Sequence, residues 1–148
     1  MDSIIDELQS NLTALNKTVI CLTNTIEKKE IEIKDLSNEY YLGIIDIIDS
    51  FERVEEYIVE KNLNKSDNEK KILNRYETIK KKLSNLLQNY GVTKLEFTEN
   101  RLLFGFCNVV DTEPDPGKKN DTIIAIVKNG YIKGSELIRE ADVIIVKN

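Results

Sequence analysis

The residues best placed to do chemistry are three alternating carboxylates, Asp111, Glu113 and Asp115, in the segment DTEPDPGKKND. Carboxylates at every second position are how a calcium-binding loop begins; a glycine at its sixth place makes the sharp turn and a glutamate at its twelfth closes the coordination shell. Here those places hold Pro116 and Thr122, so no metal is expected. The densest cations, Lys70-Lys71 and Lys80-Lys81-Lys82, could meet phosphate. They fall in helical stretches interleaved with glutamate, which reads as a solvated face. The sequence contains no histidine, which removes the usual general base and the commonest metal ligand. Its two cysteines, Cys21 and Cys107, lie too far apart to suggest a disulfide framework and read as free thiols of a reducing compartment. No glycine-rich phosphate loop, nucleophile elbow or cysteine pair with metal spacing is present. An enzyme is therefore not expected, nor is a cofactor.

The bulk numbers agree with a non-catalytic chain. Of 148 residues, 32% are charged and only 7% aromatic, which suits long helices with much solvated surface better than a compact globule. The net charge of -5 argues against nucleic acid as a partner, since phosphate neutralisation needs clustered Lys and Arg. No apolar run approaches the roughly 18 residues of a membrane span. The opening MDSIIDELQS is polar and acidic, unlike a signal peptide, so the cytoplasm is the expected compartment.

The elements that would position any site begin with a heptad pattern. Ile5, Leu12, Val19, Ile26, Ile33 and Tyr40 fall at a; Leu8, Leu15, Leu22, Lys29 and Leu36 fall at d. About five repeats in unbroken register exceed the ~3–4 that argue for a coiled coil. β-Branched residues at a with leucine at d favour a parallel pair, and Lys29 at d lowers stability while helping to set register. The other reading, one amphipathic helix packed on its own domain, fits less well, because the stripe is narrow and Asn, Thr, Glu and Lys fill the other faces. From Ile44 the stripe widens through Ile45, Ile47, Ile48, Phe51, Val54 and Ile58, as in a bundle core. The polar NLNKSDNEK then reads as a loop; inside it Ser66 and Glu69 form a capping box that starts a second helix, and Gly91 stands where a C-terminal glycine ends it. Two such helices per chain, paired with a twin, make a dimeric four-helix bundle.

The last fifty or so residues change character. RLLFGFCNVV, TIIAIV, YIKGSELIR and ADVIIVK are short, apolar and partly β-branched, with turn residues between them. Asn129-Gly130 signals a tight turn, and both prolines sit in the 111–121 loop. The expected class is α+β: a coiled-coil helix over 1–43, a bundle segment over 44–91 and a small β domain over 92–148.

Four blocks of this sequence resemble the GrpE family, the nucleotide exchange factors of DnaK-type chaperones. IIDIIDSFERVEE, containing Asp49, Phe51, Glu52 and Arg53, is similar to the family's LLPVLDNLERAL-type segment. QNYGV resembles K-F-G-V, TIIAIVKNGY resembles T-V-x-E-V-x-Q-K-G-Y, and LIREADVIIVK resembles L-L-R-P-A-M-V-x-V-x-K. Against the family pattern, Phe97 is followed by TEN instead of D-P-x-x-H, Glu136 stands where an arginine is common, and Arg75 lies near a usual glycine. The resemblance implies a homodimer that binds a chaperone's nucleotide-binding domain and speeds ADP release. It also implies chaperone contacts at Arg75, Glu136, Arg139 and Val146, and a dimer interface continuing from the heptad seam into Ile44, Ile47, Ile48 and Phe51. A coiled-coil adaptor that presents the β-unit to another protein, without exchange activity, is the alternative.

Overall fold

A computed structural model of the chain describes residues 1–61, 63 and 66–148. The expected loop NLNKSDNEK falls partly outside them, at Asn62, Asn64 and Lys65. Helix α1 runs Asp2–Lys61 and passes through Gly43 without a break. Its hydroxyl side chains are satisfied locally: Thr13, Thr18, Thr23 and Thr25 each donate to the carbonyl one turn earlier. Helix α2 runs Asp67–Asn89. Ser66 begins it with the anticipated capping box, Glu69 N–H donating to its Oγ (3.2 Å) and its own N–H donating to Glu69 Oε2 (2.8 Å). Gly91 ends it in the left-handed region at φ 77°, its N–H donating to the Gln88 carbonyl at 2.9 Å.

The C-terminal part holds β1 (Val92–Lys94), β2 (Cys107–Glu113), β3 (Ile123–Lys128), β4 (Tyr131–Lys133), β5 (Glu136–Arg139) and β6 (Ala141–Val146). They form two sheets of three strands, ordered β1-β4-β5 and β2-β6-β3. The first is antiparallel throughout; in the second, β6 runs parallel to β2 and antiparallel to β3. The class is α+β, as the sequence suggests. Two details differ from expectation. RLLFGFCNVV is extended only from Cys107 on, because Arg101 makes an isolated bridge to Thr122 and the following residues turn. YIKGSELIR is two strands folded about Gly134, whose φ of 60° suits glycine.

The chain divides into two compact units, Met1–Glu39 and Tyr40–Asn148. The first is a single stretch of helix. The second has two apolar cores. Tyr41, Ile45 and Ile48 of α1 pack with Leu87, Val92 and Tyr131, joining both helices to the first sheet. Leu95, Ile123, Ala141, Val143 and Ile145 fill the space between the sheets, with Phe97, Ile132 and Leu137 against them.

Candidate functional site

Asn129 and Gly130 do not close a hairpin. They carry the chain from β3 in one sheet to β4 in the other. The passage is crowded: a Cβ on Gly130 would stand 2.4 Å from Leu95 Cδ1 and 2.8 Å from the Ala141 nitrogen. Gly130 is needed here for close approach, since its φ is not among the positive ones. Its carbonyl accepts from Leu95 N–H at 2.9 Å.

A polar cluster grips this passage. Arg139, the last residue of β5, donates from Nη1 to Asp49 Oδ2 (2.6 Å) and from Nη2 to Asp49 Oδ1 (2.9 Å). The same guanidinium donates from Nη2 (2.7 Å) and Nε (3.1 Å) to the Asn129 carbonyl. Asp49 and Arg139 side chains are each only 12% exposed, so the fork is largely out of water and its two parallel bonds fix orientation as well as charge. One helical turn on, Glu52 accepts from Asn129 Nδ2 (2.9 Å) and from Lys94 Nζ (3.1 Å). The Tyr131 ring lies 5.4 Å from the guanidinium carbon. Burial, with Glu52 and Asp49 close by, pushes its phenol up to about 12. Nearby, Lys133 of β4 donates to the Tyr41 hydroxyl at 3.1 Å. Lys80 of α2 pairs with Glu55 of α1.

This is where the sequence blocks singled out above converge: Asp49 and Glu52 from the first, Asn129 to Tyr131 from the third, Arg139 from the fourth, with Val92 in the adjoining core. The profile of the GrpE family matches residues 1–147. The chain belongs to the GrpE family. Among its GrpE relatives, one from Porphyromonas gingivalis is 27% identical over 150 residues, covering 95% of this chain and 75% of its own length. One from Thermotoga neapolitana is 30% identical over 118 residues, covering 79% of this chain and 64% of its own. One from Synechococcus is 24% identical over 119 residues, covering 80% and 48%. GrpE membership carries the family's general role, that of a co-chaperone and nucleotide exchange factor working with a DnaK-type chaperone.

The GrpE-type fold separates the residues expected to touch a partner. Val146 is fully buried and presents no side-chain surface. It lies on β6, the middle strand of its sheet, and an alternating pattern does not reveal which strand is flanked on both sides. Arg139 is spent on Asp49 and Asn129. Both side chains are thus largely withdrawn from the surface. Glu136 opens β5, half-buried and opposite Lys133, and Arg75 is exposed on α2. Ile48, expected between subunits, is buried in the chain's own core, and Ile44 packs against that core. Phe51 meets Tyr76 of α2, ring centroids 4.4 Å apart. Ile47 stays half-exposed. Tyr40 begins the second unit and is exposed. In the first unit, the seam residues Ile5, Leu8, Leu12, Leu15, Val19, Leu22, Ile26, Ile33 and Leu36 are all 50–63% exposed in the single chain. Lys29 bonds Glu32 at 2.5 Å.

Several surface features escaped sequence reasoning. Phe104 projects with 82% of its area exposed, and Val110 and Val127 lie exposed at register shifts in β2 and β3. A bulge turns a residue out of alternation, and only the pairing partner reveals it. The TEN segment forms a short 3-10 turn with Glu99 and Asn100 at positive φ. Two of the three calcium-like carboxylates take backbone donors: Asp111 accepts from Thr112 N–H (2.8 Å) and Asp115 from Gly117 N–H (3.0 Å). Lys118, then that N–H, hold the Asp115 carboxyl below the usual carboxylate range. Among the described residues, no helix is long and apolar enough to cross a membrane.

Proposed function

We propose that this chain acts as a parallel homodimer that binds the nucleotide-binding domain of a DnaK-type chaperone and accelerates ADP release by favouring the open cleft. The observation that carries the dimer is the uncovered seam of the first unit. Nine apolar side chains at a and d spacing, each half-exposed or more, find no cover within that unit. A stripe of that width and period is what a second copy buries. The bundle residues Ile47 and Phe51 extend the same interface, and the divisions at 1–43, 44–91 and 92–148 describe its coil, bundle and β parts. Glu136 and Arg75 are the candidate chaperone contacts; Arg139 and Val146 contribute by holding the β-unit in shape.

The mechanism is a population shift and needs no catalytic residue. A protein that prefers the open cleft raises its share, and a thousandfold bias takes ~4 kcal/mol of differential binding. By reciprocity, bound ADP weakens the grip of the exchange factor by the same factor. The protein then belongs with its chaperone in the cytoplasm.

The test pairs a solution mass with release of a fluorescent ADP analogue from a DnaK-type chaperone. The reading requires a dimer mass and faster release in its presence. Reversing Glu136 to Arg should alter the concentration needed for half-maximal release; an unchanged curve removes Glu136 from the contact. A dimer that leaves release untouched makes the chain an adaptor instead.

A further inference from the structure

The second sheet is joined to the first by three chain passages, and two of them run across a single turn of helix α1. One is Asn129-Gly130, from β3 to β4; the other is Glu140, from β5 to β6. Arg139 sits at the second passage and holds the carbonyl of the first, while its fork is anchored on Asp49. Glu52 takes the Asn129 side chain, and Lys128 at the end of β3 comes within 3.9 Å of Asp49. The two sheets are seated differently. The first packs directly on both helices through Val92 and Tyr131. The core of the second packs on the first sheet. Toward the helix, a cleft lined by Arg53 and Glu56 on one side and Val127 and Asp142 on the other lies beside the clasp.

We propose that Asp49 is a positioning residue for nucleotide exchange: through Arg139 it sets the angle of the second sheet on helix α1, so that the β-unit meets the chaperone in one geometry. The proposal rests on the exchange reading above. An exchange factor works by differential affinity for two cleft states. A sheet free to swing accommodates both states, and the difference shrinks although binding persists. A planar guanidinium is required, since Lys offers a point charge and cannot bridge a carboxylate and a carbonyl as a fork.

The test uses Asp49→Asn, which keeps shape and loses charge, and Arg139→Lys, which keeps charge and loses the fork. In full-length protein with a DnaK-type chaperone, the ADP-release rate at saturation should fall about tenfold in each, while the half-saturating concentration moves less than about threefold. Helix content by circular dichroism should be retained. A second arm places spin labels at Glu77→Cys on α2 and Thr112→Cys on β2, with Cys21→Ala and Cys107→Ala, the labelled chain diluted into unlabelled. The distance distribution should be narrow with Asp49 and broad with Asp49→Asn. Unchanged saturating rates, or equally narrow distributions, overturn the proposal. If the wild-type protein fails to accelerate release, the exchange reading falls, and the label arm alone decides whether Asp49 sets the angle.

Discussion

Replacing Gly130 by alanine tests how tightly the passage between the sheets is built. The new methyl carbon would stand 2.4 Å from Leu95 Cδ1, 2.8 Å from Ala141 N and 3.0 Å from Ala141 Cβ. Leu95 is a side-chain tip and can rotate within its core. The Ala141 nitrogen cannot yield so easily: it belongs to the middle strand and donates to the Phe106 carbonyl at 3.0 Å. Overpacking costs about 1–3 kcal/mol, and straining that hydrogen bond adds about 1. A loss near 3 kcal/mol lowers the melting temperature by about 6–12 °C in a chain of this size. Two other glycines serve as controls. Gly43 lies in α1 with nothing within 4 Å, so alanine should stabilise by about 0.5–1 kcal/mol. Gly134 also faces open space but has φ of 60°, so alanine should cost about 1–2 kcal/mol from backbone strain alone. Urea unfolding followed by circular dichroism ranks the three. Trimming Leu95 to alanine in the Gly130→Ala background should recover only part of the overpacking, since Ala141 remains. If Gly130→Ala costs no more than Gly134→Ala, the steric account of the passage is wrong.

Three further outcomes follow from single interactions. Ser66→Ala removes the capping box of α2 and should cost about 1 kcal/mol, seen as a lower urea midpoint and faster amide exchange at residues 67–70. The Tyr131 phenol keeps its proton in the fold up to about 12, whereas the unfolded chain loses it from ~10. The unfolded state therefore binds fewer protons between those values, and stability falls as pH rises, by about 2–3 kcal/mol in all. Below pH ~10 the contribution is fully present, so Tyr131→Phe should lack this alkaline loss and parallel curves would exclude it. Leu15→Lys combined with Leu22→Lys places charges in the seam and should convert the proposed dimer to a single chain by light scattering; an unchanged mass would move the interface elsewhere.

What was legible in the sequence was local. Seam period, capping box, Gly91 and the extents of TIIAIV and ADVIIVK are written in neighbouring residues and their propensities. What was missed depends on partners distant in the chain. Asn129-Gly130 has hairpin chemistry, but whether its flanking strands share a sheet is a matter of topology. Glycine is required there by Ala141, eleven residues later, which no turn rule consults. Ile48 lies on the same widening stripe as Ile47, yet one is buried in the chain's own core and the other half-exposed. Periodicity marks a face as apolar without saying which molecule covers it. The resemblance implies a chaperone contact at Val146, whereas its side chain is fully buried on β6, which β2 and β3 flank.

The same contrast explains what the family resemblance measures. Asp49, Glu52, Asn129, Gly130 and Arg139 lie far apart in sequence and meet at one joint, and all belong to blocks that resemble GrpE. Departures from the family pattern fall both at the surface, at Arg75 and the residues after Phe97, and beside the joint, where Glu140 and Asp142 stand in place of the proline and methionine of L-L-R-P-A-M-V-x-V-x-K. Apolar side chains of similar volume would often hold such a joint as firmly as a buried ion pair does, since desolvation offsets most of the Coulombic gain. A fork between Arg139 and Asp49 has a property that apolar packing lacks: it is satisfied in one orientation, and leaving either partner alone costs ~3–5 kcal/mol. Charge at this joint therefore selects an angle more than it adds stability. A joint that selects an angle is of use only where the surface it carries must meet something else in a fixed pose.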